Sequence, residues 1–492
     1  VSDAVRRAVL VGLVVAVIVG VGLADVGRGG GSNGSAGSLD GGVASASGVG
    51  LSPSGAESSA WFCAGGTGAG GNAQATLVLT NPTPRAVTGT VTSMAAGTTV
   101  PAGTTAPASG GRMSMSVVVP GRSQIGVVPA SGVSAAAVAS TIVFDGGGVG
   151  ATQVVSGPLG VSTAPCASRT ASQWYFADGS TAGNNSLKLS LFNPSRTTAV
   201  VNVSFVSAGN GVLAPPAYQG IDVPGDSLVV ENIGDHVRND PDVASMVASL
   251  SGAVVAAELE SSGQAGNGGP SVVLGAVAPA MTWNFGQNTN VSGADTEFHL
   301  FNPGSKTARV TLQIGLQNGA AEPLVIRVPA MSLVNFDAAS VTRIPGNTAF
   351  SATFVSGAGV GIVVDRSLTS PGGAGAPQWG EVAGVPGGSE HWLLPTAYGT
   401  SRGISSLSVV DLNRGAVSVQ LSAITSGGPV PVAGLGHRRV LPGVPLIVSP
   451  TAGSPVGTTP LELVSSGPVA VEVDATPVGN PGVAVIPALP LP

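Results

Sequence analysis

The chain has 492 residues, and 9% of them are charged, against about 25% in ordinary globular proteins. Nineteen basic and twenty-five acidic residues leave a net charge of −6, and no Lys/Arg run is present to neutralise a phosphate backbone, which argues against nucleic acid as a partner. With 75 Gly and 37 Pro beside 43% hydrophobic residues, set in regular runs, the composition suits many short strands rather than helices or disorder.

Arg6-Arg7 precedes an uninterrupted apolar run from Ala8 to Ala24. At a helical rise of about 1.5 Å per residue the run reaches about 25 Å, the short end of what crosses a bilayer. Snorkelling arginines supply the remainder and set the N-terminus inside. Residues 1–24 are therefore expected to be a signal anchor, with residues 5–24 in the cytoplasmic membrane and everything after them extracytoplasmic. The alternative is a cleaved signal peptide with its cut near Ala24-Asp25, which exports the same remainder. Residues 25–59 are Gly/Ser-rich without apolar period and read as a flexible linker.

Beyond the linker one pattern occurs four times. Trp61-Phe62-Cys63 precedes Leu77-Val78-Leu79-Thr80-Asn81-Pro82, and Trp174-Tyr175-Phe176-Ala177-Asp178-Gly179-Ser180 precedes Leu189-Ser190-Leu191-Phe192-Asn193-Pro194. Trp283-Asn284-Phe285 precedes Phe298-His299-Leu300-Phe301-Asn302-Pro303, and Trp392-Leu393-Leu394 precedes Leu407 to Asn413, where Asn413-Arg414 replaces Asn-Pro. The tryptophans are 113, 109 and 109 residues apart. A fixed period means one folding unit used repeatedly, and it divides the chain into repeats at 60–168, 169–278, 279–388 and 389–492.

The second copy shows the unit best. Trp174 to Phe176 opens a strand, Leu187, Leu189 and Leu191 alternate with polar residues, and Asn193-Pro194 stops that strand. Val201 to Phe205 alternates again, Val223-Pro224-Gly225 turns, and Ala253 to Glu260 runs on as a last, mainly apolar strand. The equivalent last strands are Val149 to Val155, Val360 to Asp365 and Val469 to Asp474. Asp240-Pro241-Asp242 reads as a helix start leading into Val243 to Leu250. Six or seven short strands in about 110 residues predict an all-β chain of four tandem antiparallel β-sandwiches, immunoglobulin-like. A four-bladed propeller is the runner-up.

Candidate chemistry is sparse. Trp61, Trp174, Phe176, Trp283, Phe285 and Trp392, at constant phase, read as core-filling aromatics, with sugar stacking as the competing role. Trp379 lies off the period, in the Gly/Pro-rich connector from Pro371 to Gly388, and reads either as an exposed ligand-stacking ring or as an inter-domain plug. His236, His299, His391 and His437 show no metal-ligand spacing, and no nucleophile, zinc or phosphate-loop motif occurs. Glu258 and Glu260 share a strand face, Glu472 and Asp474 repeat this, and Asp365 keeps the second position. Paired carboxylates of this kind serve Ca²⁺ or glycoside hydrolysis; the plainer expectation is the solvent face of an outer strand. No cofactor is expected.

Trp-Tyr-Phe-Ala-Asp-Gly-Ser, Leu-x-Leu-Phe-Asn-Pro, Val-x-Val-x-Phe and the Val-Pro-Gly turn behind an anchor resemble an actinobacterial membrane-anchored envelope family, the domain of unknown function numbered 5719. The resemblance covers about residues 61 to 475 and is most specific in the second repeat. It implies an exported protein without assigned activity, so it transfers no catalytic residue. The expectation is a non-enzymatic scaffold or spacer of the cell wall. The alternative is a module that binds cell-wall polysaccharide, and an envelope protein is the other candidate partner. Cys63 and Cys166, at the two ends of the first repeat and in an oxidising compartment, are expected to form a disulfide.

Overall fold

The computed structural model describes residues 46–96, 111–129, 137–157, 160–261, 269–290, 295–370, 378–396, 401–449, 459–477 and 484–492. The anchor at 1–24 and the linker up to residue 45 lie outside the described residues. Among those described, no helix is long and apolar enough to cross a membrane; beside a helical turn at 46–47 and three-residue 3-10 turns, the described residues are all-β and mainly antiparallel.

The repeats use the same strand order, split into two sheets in the second and third and joined into one continuous sheet in the first and fourth. The tryptophan strand is Ser59–Thr67, Gln173–Phe176, Thr282–Asn290 or Ser389–Leu394. In the second repeat it pairs with Val243–Ser251, which pairs with Ala199–Ser207. The second sheet centres on the asparagine strand, Ser186–Asn193, held between Ser227–Asn232 and Val255–Ser261. A closing strand, Pro270–Leu274, completes it. The third repeat copies this order. In the fourth, one long strand, Leu461–Pro477, runs through both sheets. In the first, a single parallel contact, Thr67 with Gln74, joins them.

Two strands differ from what the sequence alone suggests. Val243–Ser251 is a strand rather than a helix. Asp240 does accept the Asp242 N–H, at 3.4 Å, but the segment then lies between two partners, where its backbone groups find ladder bonds and Val243 to Val247 are all buried. Non-local pairing overrides the local helix-start signal. The strand taken as the last of each repeat is followed by the closing strand: Gly160–Pro165, Pro270–Leu274, Gln378–Ala383 and Ala484–Ile486. Trp379 therefore stands half-buried on a strand opposite Thr369, not in a connector.

The aromatic residues at the start of each repeat are the core. Trp61, Trp174, Phe176, Trp283, Phe285 and Trp392 are each at most 1% exposed. Each of the four repeat indoles donates to a distant backbone carbonyl: Trp61 to Val149 (2.8 Å), Trp174 to Val254 (2.9 Å) and Trp283 to Ile362 (2.7 Å), each just before the penultimate strand, and Trp392 to Val469 (3.1 Å) midway along Leu461–Pro477, shared with Ser389 (3.0 Å). In the third repeat the two sheets meet through Phe285 and Phe298, with ring centroids 5.1 Å apart. After the closing strand the chain returns to the tryptophan strand and passes over the Phe ring. A Cβ at Gly275 would lie 2.7 Å from Phe176, and one at Gly384 2.8 Å from Phe285, so only glycine permits that approach.

The terminal asparagine of the asparagine strand clamps the following turn. Asn193 Nδ2 donates to the carbonyls of Thr197 and Val223, and Asn81 and Asn302 make the matching bonds. In the fourth repeat the strand register puts Asp411, rather than Asn413, at this position; its Oδ1 accepts from Asn413, whose amide reaches Pro468.

The repeats share their interior. One apolar core runs from Trp61 through Trp174 and includes Leu393 and Leu489. Contacts pass from each repeat to the next and from the fourth back to the first. The Val272 N–H donates to Ser162 Oγ (3.0 Å) and the Glu381 N–H to Ser271 Oγ (2.9 Å). Ser408 Oγ donates to the Gly286 carbonyl (2.6 Å), Gln124 Nε2 to the Thr396 carbonyl (2.9 Å) and Thr163 Oγ1 to the Val485 carbonyl. Residues 46–51 are not free linker. Ala46, Val49 and Leu51 are buried, and backbone bonds tie this strap to Val277, Ser168 and Pro490 of three repeats. The apolar side chains of that short stretch go where the four repeats meet.

Cys63 and Cys166 form the disulfide. It sits beside the bridge of Phe62 with Ala167, where the end of the repeat returns to the tryptophan strand. The other repeats make that return without a covalent bond.

Replacing Trp174 by Phe should remove one hydrogen bond and cost about 1 kcal/mol, while Trp174→Ala should cost roughly 3–5 kcal/mol. Because the core is shared, both should lower the midpoint of one cooperative denaturant transition; an unmoved midpoint would contradict the packing. Cys63→Ser with Cys166→Ser, which opens a loop of 103 residues, should cost up to about 4.7 kcal/mol. Loss of the loop constraint would register as a lower melting temperature than that of the oxidised wild type.

Candidate functional site

Eight acidic or basic groups of the second and third repeats are buried: Asp178, Asp240, Glu258, Glu260, His299, Asp365, Arg366 and Glu381. The Ala177-Asp178-Gly179-Ser180 turn that follows the tryptophan strand presents its backbone N–H groups to carboxylates. Ala177 donates to Asp365 Oδ2 of the next repeat (2.6 Å), Gly179 to its neighbour Asp178 Oδ1 (2.7 Å) and Ser180 to Glu260 Oε2 (2.9 Å). His299 Nε2 lies 3.3 Å from Asp178 Oδ2 and 2.9 Å from Ser367 Oγ, while Nδ1 is 3.2 Å from Asn335 Oδ1. Glu258 and Glu381 complete the group. Neither oxygen of Glu258 has a partner in hydrogen-bond geometry, nor has Glu381 Oε1, and the Ser245 hydroxyl faces Glu258.

Five carboxyls thus gather with a single imidazole. Asp178, Glu258, Glu260, Asp365 and Glu381 are all at most 5% exposed. Burial is the first cause of every shift here, because the charged form loses its hydration. It pushes Glu258, Glu260 and Glu381 well above the usual carboxylate range. Asp178 is also raised, against the pull of His299. Asp365 is pushed up to about 7, although the Ala177 N–H bond works the other way. Mutual repulsion among the five adds to burial.

The next junction repeats the device with a basic partner. The Gly286 N–H, three residues after Trp283 as Ala177 is after Trp174, donates to Glu472 Oε2 (2.7 Å). Glu472 Oε1 bonds Arg366 Nη2 at 2.7 Å, and Arg366 is fully buried beneath the Phe285 ring, 5.2 Å from its centroid. Asp474 is half-buried and accepts from Ser406 Oγ (3.0 Å).

These positions correct the solvent-face expectation. Asp365 and Glu472 face a neighbouring repeat rather than water, and Glu258 and Glu260 are buried, Glu260 being bonded by Ser180 and Asn185 of its own repeat. They are also not one position repeated. Counted from the carbonyl that receives the indole N–H, Asp365 and Glu472 stand three residues on, whereas Glu258 and Glu260 stand four and six on. Among the described residues, no group of three or more His, Cys, Asp or Glu is disposed to hold a metal ion, so Ca²⁺ at Glu258, Glu260, Glu472 or Asp474 gains no support. Asp178, His299, Arg366 and Glu381 also belong to these junctions, although the sequence alone marks none of them as a site. The repeat itself held a signal for the first: Asp178-Gly179-Ser180 closes its most distinctive copy.

The closing strands of all four repeats meet around a cavity of about 110 Å³. Its walls come from residues 163–165, 272–276, 381–386 and 485–488, with Ser47 and Val49 of the strap. Glu381 belongs both to this wall and to the carboxyl group.

The model of a family described as one of unknown function, DUF5719, matches residues 147–435. No curated protein matches the chain. Among solved structures, the crystal structure of Thermotoga maritima 1070 is similar at 18% identity, over 22% of this chain and 93% of that one, with a TM-score of 0.19. So slight a likeness carries no argument about fold or function.

The carboxyls make a pH prediction with a definite sign. An Asp with an unfolded pKa of about 3.9 and a folded value of about 7 keeps its proton in the folded state over a range where the unfolded chain has released it. Its contribution is full below about pH 4 and is lost as pH rises through 7. The melting temperature should therefore fall by a few degrees between pH 5 and pH 8.5. Asp365→Asn, which keeps an acceptor without a titrating proton, should flatten the slope. Thermal melts that are level over this range, or that rise with pH, would overturn the assignment.

Proposed function

The chain belongs to the family of unknown function DUF5719, and from that premise we propose that it is a non-enzymatic scaffold or spacer of the bacterial cell envelope. In this reading residues 5–24 anchor it in the cytoplasmic membrane with the N-terminus inside. The four repeats, each an immunoglobulin-like sandwich, stand outside in the wall of an actinobacterium. The observation that carries the scaffold role is where the ionisable groups go. Asp178, Asp365, Arg366 and Glu472 bond one repeat to the next and are buried, whereas catalysis requires such groups in an open cleft. A closed set of repeats with a shared core suits a rigid spacer. Export is supported by the Cys63–Cys166 bond, since disulfides persist in oxidising compartments.

A second reading, binding of cell-wall polysaccharide, rests on Trp379, whose half-buried ring on a closing strand leaves part of its surface accessible. Residues 40–492 incubated with isolated cell wall separate the two. A scaffold held by a protein partner should bind only wall fractions that retain protein. Retention on purified glycan, released by free glycan and lost in Trp379→Ala, would favour the second reading and overturn the first.

A further inference from the structure

We infer that the outer edge of the fourth repeat is a binding site for a polymer that carries phosphodiester groups, held by Arg438, Arg439, Ser418 and Ser466. The inference rests on register and charge and does not depend on the spacer role. The repeat pattern itself marks the place. The edge strand beside the tryptophan sheet ends on Val119, Val223, Val328 or Val440, each opposite the first residue of its neighbouring strand. Two residues earlier stand Val117, Ile221 and Ile326, which pack against the core. The fourth repeat has Arg438 there, opposite Val419 and exposed. A charge can serve to keep an edge from pairing, but one is enough for that, as Arg327 shows in the third repeat. The fourth carries two, side by side.

Charge balance singles out the same edge. From Leu412 to Leu461 the sequence has no Asp or Glu, yet it holds Arg414, His437, Arg438 and Arg439. Of the acids in this repeat, Glu462 bonds His391, Glu472 bonds Arg366 and Asp411 is buried. Asp474 is half-buried, which leaves Glu390 as the one exposed acid. Arg112, Arg343 and Arg366 each pair with a carboxylate. Among the described residues, Arg438 and Arg439 have no ion pair and no side-chain hydrogen bond. A chain of net charge −6 therefore turns an uncompensated positive edge outward here, and such a field gathers anions.

The local geometry narrows the class. Val417, Ser418, His437, Arg438, Arg439 and Ser466 line an open depression of about 420 Å³. Ser418 stands opposite Arg439, and its N–H donates to Ser466 Oγ (3.0 Å). Both serine hydroxyls thus keep a proton to donate. Neighbours on a strand point to opposite faces, so the two guanidiniums reach the rim from both sides and meet successive charges rather than one. Each guanidinium fork matches the bare oxygens of a phosphate. A phosphodiester also has ester oxygens to accept from the hydroxyls, which a carboxylate lacks. Because the depression is open, a chain can run through it.

Poly(glycerol phosphate) and poly-L-glutamate of similar length make a suitable pair of probes. Titration calorimetry with the full chain at low salt should show the phosphate polymer bound, at least tenfold more tightly than polyglutamate, and weakening as salt rises. Arg438→Gln with Arg439→Gln should weaken it at least tenfold and reduce the salt slope by about one per arginine. The melting temperature should stay where it is, because neither side chain has a partner to lose. Ser418→Glu, an exposed change opposite Arg439, should abolish binding with both arginines present and decides the matter if the double variant does not fold. Lys306→Gln, which removes an exposed cation of the third repeat, should leave the affinity unchanged. No binding of poly(glycerol phosphate), equal binding of polyglutamate, tighter binding of duplex DNA, or an equal loss in Lys306→Gln would each overturn the site.

Discussion

One hydrogen bond recurs in every repeat and fixes the rest of it: the indole N–H of the first tryptophan donated to a carbonyl about 80 residues further on. A buried indole must place its N–H, and in the first three repeats the partner lies just before the penultimate strand, in the fourth midway along the strand that joins the two sheets. In the second and third repeats the same carbonyl also receives a backbone N–H from three residues before the tryptophan, Ala171 or Ala280. Two donors on one oxygen hold the entry of the repeat against the strand that carries its junction residues. The phase of the acids, and hence which neighbour they meet, follows from that anchor point.

The scarcity of charge then takes on a structural meaning. A chain with so few ionisable groups places several of them at repeat junctions, where an unpaired charge is costly and a paired or neutral one is directional. At the junction of the third and fourth repeats, Arg366 answers Glu472. Between the second and third, five carboxyls face one imidazole, and backbone N–H groups of Ala177, Gly179 and Ser180 make most of the bonds to them. Two chemically different solutions serve the same backbone position, the residue three beyond the tryptophan. The junctions of the first repeat use hydroxyls and Gln124 instead.

Closure of the four repeats also answers a hazard of their construction. Each repeat ends in a closing strand with one unpaired edge, and exposed edges invite pairing with other chains. Here the four edges gather at the centre, where Ser162, Ser271 and Thr163 satisfy backbone groups across repeats. A protein built this way gains stiffness from its junctions, which accords with a spacer, and lines a cavity with residues of all four repeats.

Much of the architecture was legible in the residues. The period of the tryptophans, the alternation in Leu187 to Leu191 and the stop at Asn193-Pro194 are local or repeated signals, and each depends on physics that acts within one strand or turn. The position of Cys63 and Cys166 at the two ends of one repeat was likewise enough to pair them. What the residues could not give was anything decided by a neighbour distant in sequence. Val243 to Ser251 carries a helix-start signal and becomes a strand because two partners supply its hydrogen bonds. Glu258 and Glu260 alternate like a solvated face and are buried, because the Asp178 to Asn185 turn of their own repeat and Asp365 of the next close over that face. Residues 46–51 resemble linker in composition and fill the centre because three repeats leave room for them there. Local pattern determines which elements form; only the tertiary structure decides which of their faces meet water, since that depends on surfaces more than a hundred residues away.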